Sequence, residues 1–288
     1  MADIAVIDDD GDAKGLFNRF RDRVFEAAHN SLERCSVLLT VDDGQKLIEQ
    51  RSGILLQIAD MHFLVTAGHH MVDHHAHGRG VGIAMPVKGS RPVLLVNEVF
   101  WTTKDDQEDI SVTQLTEAVV EYIKGHFHYV RLNSVMSRND PCHGKGMYLI
   151  YGHPQALLGP DDTGVRKVES WKYLTLQYCG DYANVENYNP RLHLVLDYER
   201  NTFNQQGKRI HPPGMSGCGI WFVGDPSLYS LFNADDFKLV AIQNCWHKGL
   251  EYAKGTWIDD VLLILWKYYP ETHKPIMLAG FNFFGSCV

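Results

Sequence analysis

Residues 62–70 read HFLVTAGHH. Phe, Leu, Val and Thr in succession are strand-forming residues, and the run passes without a linker into histidine. His69 is therefore expected at the end of a strand, on a turn. Runs of the same character lie on both sides: SVLLTV (36–41) and GILLQIA (53–59) before it, VGIAMPV (81–87), PVLLVNEVF (92–100) and ISVTQL (110–115) after it. Further along come YVRL (129–132), GMYLIYG (146–152), YLTLQYC (173–179), LHLVLDY (192–198), GIWFV (219–223) and KLVAIQN (238–244). Turn signals such as DDG (42–44) and ADM (59–61) separate them. About a dozen short strands with no alternating helices predict a mainly β fold, an antiparallel barrel or sandwich rather than a parallel α/β sheet.

Helical periodicity is confined to the two ends. Between Asp12 and Arg34, apolar residues recur at Leu16, Phe17, Phe20, Val24, Phe25, Ala28 and Leu32, with Arg19, Arg21, Asp22, Arg23 and Glu26 on the other face. TWIDDVLLILWKYY (256–269) reads as a second, largely buried helix, and the apolar tail that follows needs a surface to lie on. The expected organisation is an acidic N-terminal segment and amphipathic helix (1–34), a β domain (35–268) and an apolar tail (269–288). DYANVENYN (181–189) is expected to be an exposed loop.

A net charge of −8 over 288 residues, with no run of Lys or Arg, argues against a nucleic-acid partner. The most apolar run, Val261 to Trp266, is far short of the ~20 residues that span a bilayer. MADIAVIDDDGD at the N-terminus has no basic region, so no secretory signal is expected, and a cytoplasmic location with reduced thiols follows as the expectation. The six cysteines form no CxxC pair and read as small buried apolar residues. No cofactor is expected.

Five of the fifteen histidines fall between His69 and His77. His70 and His74, at i, i+4 with Asp73 between them, could hold zinc on a helix, but HHMVDHHAH matches no H-E-x-x-H pattern. Two downstream stretches bear on His69 instead. In DDQEDISVTQL, Asp109 stands immediately before an alternating strand. In HPPGMSGCGIWFV, Ser216 lies between glycines with a strand directly behind it. Each alone is weak; a His, an Asp and a Ser in these local contexts are together more specific.

LVTAGH, EDISVTQL and GMSGCGIWF resemble three segments of the trypsin-like (chymotrypsin-fold) serine peptidases, in the bacterial form without a zymogen N-terminus; MYLIYGHP (147–154) and KLVAIQN resemble strands of that family's second barrel. The resemblance spans roughly residues 36 to 268 and implies two antiparallel β-barrels of six strands each, the first at about 35–125, the second at about 126–255, then a C-terminal helix (256–268). It implies that His69 is the general base, Asp109 the acid that orients it and Ser216 the nucleophile, with the N–H groups of Gly214 and Ser216 as the oxyanion hole. Met215 stands where zymogen-activated relatives carry an acid, so that switch cannot operate. The base of the specificity pocket falls near Ile210, with Asn244, Cys245 and Trp246 near its wall; no acid is present there, and Trp246 would favour a small or medium apolar residue.

The implied activity is peptide-bond hydrolysis through an acyl-enzyme, with a protein or peptide substrate. Three rivals stay open: a catalytically silent protease-fold binding module, a zinc-dependent hydrolase built on the His69–His77 cluster, and an α/β-hydrolase using Asp259, Asp260 and His273. The last needs a strand before the serine and a helix after it, the reverse of the sequence here. Cys142 and Cys218 stand in no recognisable elbow. A cytoplasmic peptidase without a zymogen switch needs another restraint, and two readings of the N-terminal helix and the tail stay open: both pack on the barrels as ordinary core, or one of them docks an activating partner or a second copy, as in a bacterial defence effector.

Overall fold

The computed structural model describes residues 10–42, 47–69, 71–72, 80–86, 92–95, 100–103, 107–154, 159–160, 166–167, 170–198, 214–225, 236–247 and 251–283. Strands β1 (Ser36–Asp42), β2 (Leu47–Ile58) and β3 (Met61–Ala67) form an antiparallel meander whose side chains alternate between two apolar environments. Leu55 and Leu64 face the interior of the first sheet, while Ile54, Leu56, Phe63 and Val65 face a core shared with the second. Both faces are buried, which is why these segments read as continuous apolar runs rather than clean alternation.

The first sheet continues through β4 (Gly80–Ile83) and β5 (Val93–Leu94) on one side, and through β7 (Ile110–Gln114) and β6 (Phe100–Thr102) on the other. A two-residue strand β8 (Val130–Arg131) joins β2 in parallel. After β9 (Met147–Gly152), a small hairpin pairs β10 (Gly159–Pro160) with β11 (Arg166–Lys167). The second sheet has the order β12 (Trp171–Thr175), β9, β14 (Gly219–Gly224), β15 (Lys238–His247), β16 (Tyr252–Trp257), β13 (His193–Asp197), all antiparallel. The fold is thus mainly β: two curled antiparallel sheets, consistent with a double β-barrel, with helices at both ends of the chain. The first sheet has eight strands rather than six, because β6 and β8 add to it.

Helix α1 (Asp10–Ser31) lays Phe20, Val24, Phe25 and Ala28 into the core between the sheets. A short helix α2 (Glu117–Ile123), capped by Thr116, closes the first sheet's interior with Val119 and Ile123. Near the C-terminus, α3 (Ile258–Tyr268) and α4 (His273–Leu278) join the same core as α1 through Val261, Leu262, Leu265 and Ile276, and Phe281 beyond α4 is buried there too.

Several boundaries differ from expectation for local reasons. The run 92–100 is not one strand: β5 ends at Leu94 and β6 begins at Phe100. The run 173–179 stops at Thr175, and Leu176 is exposed. The C-terminal helix starts at Ile258 rather than Thr256, because Thr256 and Trp257 still pair with Ile242 and Ala241 of β15. That last strand, YAKGTW, has too few apolar residues to read as one.

Candidate active site

Ala67 pairs with Ile110, so the C-terminal end of β3 lies beside the N-terminal start of β7. The next residues outward on these strands are Gly68 and His69 on one, Asp109 on the other. A Cβ at Gly68 would come within 3.0–3.1 Å of the backbone at Asp109 and Ile110, so this close approach favours glycine. The Gly68 N–H donates to the Asp109 carbonyl at 3.0 Å. Asp109 then receives His69 twice: the His69 backbone N–H donates to Oδ1 at 2.7 Å, and Nδ1 lies 2.7 Å from Oδ2. Asp109 adopts φ 44°, in the left-handed region that Asp tolerates better than most non-glycine residues. With Nδ1 as the donor to Oδ2, the imidazole's Nε2 is the acceptor, the tautomer a general base needs. Asp109 is mostly buried, and the His69 ring is 45 % exposed, open to the cleft.

Ser216 lies in the turn that leads into β14. Gly214 (φ +94°) and Gly217 (φ +91°) flank it, both in the left-handed region. A Cβ at Gly217 would collide with the Ser52 carbonyl and the Thr66 hydroxyl and would lie 3.1 Å from the Ala67 nitrogen. The turn is therefore pressed against β2 and against the end of β3, two residues before His69. Ser52, fully buried on β2, fastens it: its N–H donates to the Ser216 carbonyl (3.2 Å) and its Oγ donates to the Gly214 carbonyl (3.0 Å). The same Oγ accepts from the His153 N–H at 2.9 Å, and the Ser52 carbonyl accepts from the Thr66 hydroxyl at 2.8 Å. From the other side, the Gly217 N–H donates to the Gln243 carbonyl at 2.7 Å. Among the described residues, the N–H groups of Gly214 and Ser216 donate to no acceptor, and the Ser216 hydroxyl makes no hydrogen bond to His69.

No protein-family profile and no curated protein matches the sequence. Among solved structures, the chain is similar to a serine endoprotease from Yersinia pestis (13 % identity, TM-score 0.49, covering 84 % of this chain and 65 % of that one). It is also similar to a thermostable serine protease from an extremophilic microorganism (14 % identity, TM-score 0.46, covering 78 % and 91 %). A structure reported for the Sesbania mosaic virus VPg protein is a third (12 % identity, TM-score 0.41, covering 78 % and 87 %). The chain thus spans less than two thirds of the length of the Yersinia pestis protein.

Of the pocket residues read from sequence, Asn244 and Cys245 line a cavity of about 410 Å³ beside His69 and Asp109. Trp246 packs instead against Tyr198 in the second sheet's core, with ring centroids 6.0 Å apart, so it does not narrow this cavity. Ile210 lies outside the described residues, as do His70, Asp73, His74, His75 and His77. Among the described residues, no three His, Cys, Asp or Glu side chains form a metal cluster. Asp259 and Asp260 are committed elsewhere: Asp259 accepts from the Ser137 hydroxyl and the Arg138 N–H, and Asp260 pairs with Arg138. With a strand directly behind Ser216 and sheets that are antiparallel apart from the two-residue β8, the α/β-hydrolase arrangement is absent among the described residues. Burial pushes the Cys218 thiol up, and hydrogen bonding to Asp140 raises Cys142, so neither is a ready thiolate.

Sequence reading missed Ser52, Glu186, Asn187 and Lys254. The loop 181–189 is not merely exposed: Val185 is buried, with Tyr178, Tyr182 and Tyr188 around it, and Glu186 and Asn187 reach the cavity.

Ser52→Ala should leave the Gly214 carbonyl and the His153 N–H unpaired, at about 1–3 kcal/mol for a buried group. A loosened turn should also slow reaction at Ser216 by about tenfold to a hundredfold. Urea unfolding and probe-labelling rates on the variant check both, and an unaltered labelling rate refutes the fastening role.

His153 supplies a pH prediction. Complete burial lowers its pKa to about 4 against 6.5 in the open chain. Between those values the unfolded chain binds a proton that the folded one refuses. This stability is therefore whole above pH 6.5 and is lost as pH falls toward 4, amounting to about 3 kcal/mol at 1.36 kcal/mol per unit. Asp260 acts oppositely: burial raises its carboxyl to about 7, so its contribution weakens as pH rises. The difference between wild type and His153→Gln, measured by urea unfolding from pH 7 to 4.5, isolates the histidine and should shrink steadily toward the acid end.

Proposed function

We propose that this protein is a serine endopeptidase acting through His69, Asp109 and Ser216. The observation that carries the reading is the two-point hold of Asp109 on His69, with the serine turn docked against the same strand end. In this reaction the Ser216 Oγ–H proton passes to His69 Nε2 as Oγ bonds to the scissile carbonyl carbon. The oxyanion that forms takes the N–H groups of Gly214 and Ser216. The C–N bond then breaks, the imidazolium returns its proton to the departing amine, and an ester is left on Ser216. Water, giving a proton to His69, then adds to the ester carbonyl; the C–Oγ bond breaks, the imidazolium returns the proton to Ser216 Oγ, and the acid is released.

A fluorophosphonate probe tests this directly. The folded protein should be labelled on Ser216 and lose labelling in Ser216→Ala. Folded protein that never labels, alone or in lysate, supports the silent binding module instead. Hydrolysis should be indifferent to EDTA and to His74→Ala with His75→Ala; chelator sensitivity would instead make the histidine cluster a metal site.

A cytoplasmic setting, and control by a partner or a second copy, belong to the same reading. Phe20, Val24, Phe25 and Ala28 of α1 are already buried, so a partner on this helix would meet its polar face, where Arg19, Asp22, Arg23 and Glu26 are exposed. Among the described residues, no helix is long and apolar enough to cross a membrane.

A further inference from the structure

The cavity beside the dyad contains a cation that the hydrolytic mechanism does not use. Lys254, on β16, is only 6 % exposed, yet its side chain lines this cavity together with His69, Asp109, Asn244 and Cys245. Its ammonium donates to the Glu186 carbonyl at 2.8 Å and, among the described residues, forms no ion pair. An ammonium has three protons to give, so two remain for whatever enters. Beside it, the buried Asn244 gives its Nδ2 to the Thr256 hydroxyl at 2.9 Å, while its Oδ1 has no partner. The cavity is therefore lined by a buried charge with unused donors, a pattern that a purely structural lysine does not need.

We propose that this cavity is a specificity subsite for an acidic side chain of the peptide substrate, with Lys254 as its determinant. The inference rests on the peptidase reading and names the substrate class of that same site. When a peptide covers the cleft, water leaves the ammonium, and unfilled donors on a buried charge are costly. A carboxylate fills them with charge-assisted bonds; a carboxamide fills them more weakly; an aliphatic chain leaves them empty. The carboxylates already nearby do not take this place. Asp109 has both oxygens engaged by His69, and Glu186 is exposed. Burial pulls the lysine down from its usual range, while the Cys245, Glu186 and Asp109 charges pull it back toward the protonated form.

Matched peptides carrying Glu, Gln or Leu at each position flanking the scissile bond supply the test. At one position, wild type should prefer Glu over Gln by about tenfold or more in kcat/KM, the range of a hydrogen bond to a charged group. Lys254→Met should bring that Glu-to-Gln ratio to near one, and Lys254→Arg should keep most of it. A wild type indifferent to Glu at every position overturns the proposal without any variant. So does a Lys254→Met enzyme that slows on all peptides alike and keeps its ratio, since the lysine would then serve Asp109 or the fold. Fluorophosphonate labelling of the same preparations reports separately on the peptidase reading. If it fails, fluorescence anisotropy of the labelled Glu and Gln peptides on wild type and Lys254→Met reads the same ratio as binding, and equal binding of the two overturns the subsite.

Discussion

Asp109→Asn should lower peptide hydrolysis by about 10⁴ while leaving the fold in place. The carboxylate accepts from both the His69 backbone N–H and Nδ1. An asparagine can keep its oxygen on the backbone N–H, but it then turns an NH₂ toward Nδ1. That makes Nδ1 the acceptor and moves the imidazole proton to Nε2, where a base must be bare to take the serine proton. Ser216→Ala and His69→Ala should each cost about 10⁶ in kcat, and the double variant little more, because the residues act as one unit. Kinetics on the three variants, with urea unfolding to certify the fold, decide the matter. Additive losses, or an Asp109→Asn enzyme within tenfold of wild type, would sink the triad.

Gly217→Ala should damage stability and reactivity together. Its φ of +91° is strained for any residue with a Cβ, at about 1–3 kcal/mol. The added atom also meets the Ser52 carbonyl and the Thr66 hydroxyl, which cannot move without releasing the serine turn. Gly224 provides the internal control: its φ is +99°, but a Cβ there meets nothing within 4 Å. Gly224→Ala should therefore show the conformational cost alone, with labelling of Ser216 little changed. In Gly217→Ala the urea midpoint should fall further and labelling should slow by about 10². Equal behaviour of the two variants would mean that the turn does not depend on its seat against β2.

The parts of the fold legible in sequence were those where burial on both faces writes uninterrupted apolar runs, as in β2, β3 and β9. YAKGTW was invisible because it fills its strand with Lys254, Gly255 and Thr256, each placed for contacts rather than apolar content. His69 and Asp109 could be found because both sit at strand ends marked by local pattern. Ser52 could not: it is an unremarkable serine inside the run RSGILLQI, and its role exists only once two sheets meet. Glu186 and Asn187 were hidden likewise, since tyrosine packing around Val185 bends a polar segment back to the cleft.

Phe20 and Phe281 occupy one core, along with Ile54 from the first sheet and Leu149 from the second. A chain made from its N-terminus holds the first of these residues long before the last exists. On the ribosome, helix α1 must therefore wait, its apolar side without its final neighbours, until residue 281 has cleared the exit tunnel. Each sheet can begin to pair earlier, but the layer that joins them is completed only when residues between Ile258 and Phe281 have followed. Order of manufacture thus sets a lower bound on when the finished architecture can first appear.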